Sequence, residues 1–278
     1  ALKSNTTGTQ NVATGHLALY ANTTASYNTA YGDSALTANT TGGNNTGIGF
    51  ASLVSNTTGY RNTASGHYSL QANTSGSKNT ASGYKTLKAN TIGTQNVATG
   101  YKALYANTTA SYNTASGYQA LLSTTTGANN TGIGNAAVSS TATVSNEVTL
   151  GNASVATLRC QVTSITSLSD ARDKDNIEDL DAGLDFINTL RPVKFDWNMR
   201  DGGKVGDADI GFIAQELLQA QKDNDIIVPH LVMDSNPDKL EAGYGMLVAP
   251  LVKALQELSA KVDAQASEIK TLKSKLEK

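Results

Sequence analysis

The stretch Ser169-Asp170-Ala171-Arg172-Asp173-Lys174 brings a hydroxyl, an amine, a guanidinium and two carboxylates together in six residues. A serine hydroxyl is a weak nucleophile and attacks a carbonyl only with a base beside it. Lys174 can be that base when neutral, so its pKa must fall from about 10.4 through burial or nearby cations. Arg172 is placed to supply such a field. On residue types alone a plainer role competes, because Ser before Asp-Ala-Arg and an acidic stretch is also a helix N-cap pattern. What surrounds the hexapeptide has to decide.

Other chemistries have little material. Cys160 is the only cysteine, so there is no disulfide framework, and with His16, His67 and His230 scattered no zinc site is expected. The expectation is that no metal and no cofactor is used. Glycosidases use two facing carboxylates, whereas before Glu147 the chain has only Asp33. No apolar run approaches the length of a membrane span, and Ala1 opens no signal-peptide pattern, so membrane insertion is not expected. A net charge of −2 gives no case for nucleic-acid binding.

The 278 residues hide two different polymers. Residues 1–140 hold only 18 Leu, Ile, Val and Phe, a share typical of disorder. Yet up to Leu150 there are six Lys/Arg and two Asp/Glu, far less charge than disorder usually brings. Residues 151–278 carry 15 Lys/Arg and 21 Asp/Glu with ordinary apolar content. Two domains follow.

The first is strictly periodic. Gly15 recurs at 32, 49, 66, 83, 100, 117 and 134, and Asn11 keeps the same 17-residue step through Asn130. Leu19 recurs through Leu121, and a second Asn series runs from Asn5 to Asn107. A larger duplication is superposed: residues 9–30 return as 94–115 with only His16-Leu17 changed to Tyr101-Lys102. Such periodicity marks a solenoid. Seventeen residues rich in Asn, Thr and Gly are too few and too poor in helix formers for a helical repeat. They suit short strands and turns, one coil of a parallel β-solenoid per repeat. The Asn series are expected to form hydrogen-bonded ladders. One Leu per turn adds about 1.5–3 kcal/mol of burial, against roughly 1–2 kcal/mol per ordered backbone, so three-fold association is expected to add the rest. The segments NNTGIGFAS and NNTGIGNAA resemble the NSVAIG-type repeat of trimeric autotransporter adhesin heads, which implies a trimeric β-roll; here the inward positions read mostly as Thr or Ser.

In the second region, Val148–Leu150 and Val155–Val162 alternate as short strands closing the solenoid. Leu184, Ile187 and Leu190 form one helical face before Pro192, a strand follows at Val193–Trp197, and Ile210–Leu218 reads as strand into helix. From Leu251 the positions Leu251, Leu255, Leu258, Val262, Gln265, Ile269, Leu272 and Leu276 alternate by four and three, a coiled-coil seam that is apolar except at Gln265.

The hexapeptide, GLDFINTLRPVKFDW, IGFIAQEL and YGMLVAPLVKALQELSAKVDAQ occur in order over 169–265. Together they resemble the intramolecular chaperone domain of phage tail fibres and endosialidase tailspikes, a self-cleaving serine peptidase family. The resemblance implies a C-terminal domain that templates trimerisation and then cuts before the motif serine, between Leu168 and Ser169. It assigns Ser169 as nucleophile and Lys174 as base, with Asp170 and Arg172 in the same site, Arg172 setting the field or holding the scissile carbonyl. Asp173 departs from the apolar residue many relatives have there.

The expected fold is a mainly β trimeric solenoid of 17-residue repeats over 1–140 and a β connector over 141–168. An α+β chaperone domain over 169–246 and a trimeric coiled coil over 247–278 complete it. The expected function is the distal part of a phage tail fibre. Its partners would be a host cell-surface receptor and upstream fibre or baseplate proteins; it would assemble in the host cytoplasm and reside in the virion. A bacterial adhesin head or a glycan-degrading tailspike are the alternatives. Ten of the eleven tyrosines lie in the rod. Tyr84, Tyr101 and Tyr118, each just after a repeat glycine, are candidates for stacking on receptor sugars or for ladder packing.

Overall fold

A computed structural model describes residues 1–155, 158–159, 169–200 and 205–277. The chain divides into two compact units, Ala1–Ala156 and Thr157–Lys278.

The first unit is a parallel β-solenoid. Its strands are three residues long: β1 Val12–Thr14, β2 Thr29–Tyr31, β3 Thr46–Ile48, β4 Thr63–Ser65, β5 Thr80–Ser82, β6 Val97–Thr99, β7 Thr114–Ser116, β8 Thr131–Ile133 and β9 Val148–Leu150. They pair in sequence order as one nine-stranded sheet, each residue beside the one 17 positions on. The strand β9 lies beyond residue 140, so the solenoid continues one coil into the segment read as a connector. Val155 is not in a strand, and most of Val155–Val162 lies outside the described residues.

Inside the coils the expected Thr and Ser occur only in part, as Ser52, Ser69, Ser77, Thr86 and Thr124; most of the filling is Ala, Leu and Asn. Within β2, Ala30 is buried while Thr29 and Tyr31 face outward, and Ala64, Ala81, Ala98 and Ala115 repeat that pattern. The Leu19–Leu121 column and the flanking alanines are buried too. Both Asn series are buried beside them from Asn22 onward. A sheet face alternates by two, so a three-residue strand can send only its middle side chain inward. The polar interior is stable because its groups are paired. Asn39 donates through Nδ2 to Asn22 Oδ1 at 3.1 Å and to Gly42 O at 2.9 Å, and Asn56 and Asn73 repeat the motif. In the other series Asn45 Oδ1 accepts from Asn62 N at 2.9 Å while Asn45 Nδ2 donates to Gly59 O at 2.8 Å. The first ladder stops where Thr124 replaces Asn, leaving Asn107 Oδ1 buried without a partner. The second ends on Glu147, whose backbone N–H donates to Asn130 Oδ1.

Two backbone features close each coil. A Cβ on Gly83, at φ +132°, would stand 2.6 Å from Gly100 O, so the stacked turn admits only glycine. The leucine column adopts left-handed φ of about 50°, as at Leu19 and Leu121. That conformation costs roughly 1–2 kcal/mol per residue. Burial of the leucine and coil-to-coil bonds such as Leu19 N to Ala35 O at 3.0 Å hold it there.

In the second unit, α1 Leu184–Thr189 leads to the antiparallel pair β10 Val193–Asn198 and β11 Val205–Gly211, followed by α2 Ala214–Asp223. A two-residue ladder, β12 Val232–Met233 with β13 Glu241–Ala242, precedes α3 Val248–Leu276. The small core gathers Phe186, Leu217, Val228, Leu231 and Leu247. Phe186 is its buried member from α1, whereas Ile187 and Leu190, on the face read from sequence, only pack around it. Helix α3 docks on α1 through Glu257, which accepts a hydrogen bond from Leu184 N at 2.7 Å and so caps α1 from a position 73 residues away. The heptad positions stay exposed in the single chain: Leu255 is 67% and Ile269 53% accessible.

Candidate functional site

The hexapeptide folds around one 3-10 turn, Ala171–Asp173. Its N-cap is Asp170, whose carboxylate accepts from Arg172 N at 2.9 Å. The capping role read for Ser169 thus belongs to its neighbour, and Ser169 is released from it. Across the turn, Lys174 Nζ donates to Ser169 Oγ at 2.7 Å. A 3-10 turn brings residues on either side of it together, so a five-residue spacing becomes direct contact between hydroxyl and amine.

Asp170 and Arg172 form a second pair. Arg172 Nε donates to Asp170 Oδ1 at 3.0 Å, and its terminal nitrogen to Oδ2 at 2.5 Å. The guanidinium holds the Asp170 carboxyl below the usual carboxylate range, and the carboxylate raises Arg172 in turn. Arg172, read as a source of field for Lys174, is thus engaged with Asp170. Among the ion pairs of the described residues none joins Lys174 to Asp173; the ammonium goes to Ser169. All four side chains of the site are exposed in the single chain. The arrangement has nucleophile and amine in contact, with the amine as donor. It becomes a base only after losing a proton, which a desolvating surface would favour. Leu168 lies outside the described residues.

On the rod, the position after each repeat glycine forms a column. Phe50, His67, Tyr84, Tyr101 and Tyr118 stack face to face with centroids 4.9–5.7 Å apart and planes within 20°. The ring faces are therefore occupied by each other, and the ladder-packing alternative describes them. Sequence reading of the column missed its neighbours. Lys85 Nζ lies 4.9 Å from the Tyr84 centroid, Lys102 5.3 Å from Tyr101, and Lys88 and Lys102 each 5.6 Å from Tyr105. The signal was present: Lys85 and Lys102 share one repeat position, one residue after the tyrosines, and Lys88 and Tyr105 share another.

In chain order the architecture is a β-solenoid, then a small α+β unit and a long C-terminal helix. Residues 169–226 match the family model described as chaperone of endosialidase, and the match begins at Ser169. The pairing of solenoid and chaperone is consistent with a phage tail fibre with a C-terminal chaperone, and this chaperone family implies trimeric assembly. Comparison with curated proteins and with solved structures gave no match. Among the described residues no helix is long and apolar enough to cross a membrane.

Proposed function

We propose that the chain is the distal part of a phage tail fibre, a trimeric host-binding rod carrying a chaperone that drives trimerisation and then removes itself. The observation that carries the reading is the contact of Lys174 Nζ with Ser169 Oγ at the first residue of the chaperone match. Ser169 Oγ attacks the Leu168 carbonyl and its proton passes to Lys174. The peptide C–N bond breaks, the Ser169 nitrogen leaves as an amine after taking up a proton, and an ester joins Leu168 to Ser169 Oγ. Water hydrolyses that ester, giving the Leu168 carboxylate and restoring the hydroxyl. Exposure of the dyad in one chain supports a gate: desolvation between subunits favours the neutral amine, so cutting follows assembly.

Two surfaces support the trimer. One is the uncovered heptad seam of α3. The other is the outer face of the solenoid sheet, where the first and third residues of all nine strands are uncharged, from Val12 and Thr14 to Val148 and Leu150. In the released rod a charge-free face along every coil suits packing against copies of itself.

The test is expression of the parent and of Ser169→Ala and Lys174→Ala, read on a denaturing gel. The parent is expected to yield a fragment of residues 169–278 and each variant an intact trimer. The double variant should look no worse than either single, because the pair acts as a unit. A Ser169→Ala protein that still gives a fragment starting at residue 169 eliminates the mechanism.

A further inference from the structure

The rod is electrostatically one-sided along its length. From Ser34 to Asn146 it carries Arg61, Lys78, Lys85, Lys88 and Lys102 and no acidic residue. Three of these lysines sit in the aromatic ridge of the coils that begin at Asn79 and Asn96, against Tyr84, Tyr101 and Tyr105. Tyr84 as hydrogen-bond partner raises the pKa of Lys85, which keeps its ammonium charged.

The internal duplication points to the same place. Residues 9–30 and 94–115 differ only at His16-Leu17 against Tyr101-Lys102. The scaffold positions are unchanged, so what distinguishes the two copies is the ridge. In the first copy that position faces an acid instead, His16 Nδ1 lying 3.5 Å from Asp33.

We propose that this ridge binds a linear acidic polysaccharide laid along the rod axis, Lys85, Lys88 and Lys102 pairing with its carboxylates and the tyrosine hydroxyls bonding to its ring hydroxyls. The proposal rests on the reading of the rod as host-binding and names the class of ligand. Spacing supports it: Tyr84 and Tyr101 are 5.4 Å apart, comparable with the advance of one pyranose unit, so each coil meets about one sugar. The closed ring faces decide against single-stranded nucleic acid. That recognition depends on bases stacking on open aromatic faces, and Tyr84 and Tyr101 have theirs covered on both sides.

The experiment uses the full chain with sodium alginate, neutral dextran and oligothymidylate as probes, titrated at low and at physiological salt. Alginate is expected to bind, dextran not, and affinity to fall with salt as charge pairs are screened. Lys85→Gln/Lys102→Gln should weaken alginate binding at least tenfold, while Lys78→Gln, a cation outside the ridge, should change it less than twofold. Tyr101→His/Lys102→Leu writes the residue 16–17 pair into the later copy, a sequence this scaffold already folds, and should also cost at least fivefold. Absence of alginate binding, equal binding of dextran, tighter binding of oligothymidylate or equal losses in Lys78→Gln each overturn the proposal. If host cells bind the parent and the ridge variants equally, the host-binding reading stands and this one falls.

Discussion

The two units solve burial in opposite ways. The solenoid satisfies its interior within one chain: each coil from Asn28 to Tyr112 hides a leucine, at least one alanine and two asparagines whose amides bond to neighbouring coils. The C-terminal unit hides little beyond the Phe186, Leu217 and Leu231 cluster and leaves the α3 seam, apolar except at Gln265, uncovered. A repeat can pair polar groups inside because the same residue arrives every 17 positions to receive them. A small non-repeating unit has no such supply, and much of its apolar surface stays exposed in the single chain. The difference teaches where unmet burial resides: the rod pairs its interior coil to coil, and α3 leaves its seam uncovered.

The largest effect is expected at that seam. Leu255→Asp/Leu258→Asp should abolish soluble trimers when the uncut chain is expressed, by sedimentation, because charges in a coiled-coil core remain desolvated and unpaired. Soluble trimers of that variant would break the contrast.

Asn73→Ala tests the other side. It removes the donor to Asn56 Oδ1 and the acceptor of Asn90 Nδ2. Leaving buried polar groups short should cost the rod about 2 kcal/mol in denaturant unfolding. A loss no greater than at an exposed threonine would mean the ladders are not what holds the coils.

The ladder also has a defect that can be mended. Thr124→Asn should place an amide against the orphaned Asn107 Oδ1 and stabilise the rod by about 1 kcal/mol, seen as a higher melting temperature. No change would show that the C-terminal coils have too little room.

The smallest effect is acid sensitivity of the α3 anchor. The Leu184 N–H bond, followed by Lys253 and Lys261, holds the Glu257 carboxyl below its usual range. A depressed folded-state pKa contributes stability that is present above the ordinary glutamate pKa and lost as pH falls through the folded value. Melting of the C-terminal unit should therefore weaken as pH falls below the ordinary glutamate range, and Glu257→Gln should flatten part of that slope. An identical pH profile in the variant would remove Glu257 from the anchor.

By itself the sequence determined the solenoid, its period, its Asn ladders and the heptad seam. Each is a one-dimensional pattern: a stacked coil repeats its neighbours at constant spacing, and a helix presents every third or fourth residue on one face. The contact of Ser169 with Lys174 was half legible, since their spacing was visible, but whether Ser169 or Asp170 caps the turn depended on backbone geometry. Three things only the tertiary structure decided. The inward side of β1 to β8 belongs to Ala or Gly, because a three-residue strand buries only its centre. The tyrosine column closes its own ring faces, because stacking distance is set by coil rise. Glu257 reaches the start of α1 across 73 residues, and no local pattern records a contact made by packing two helices together.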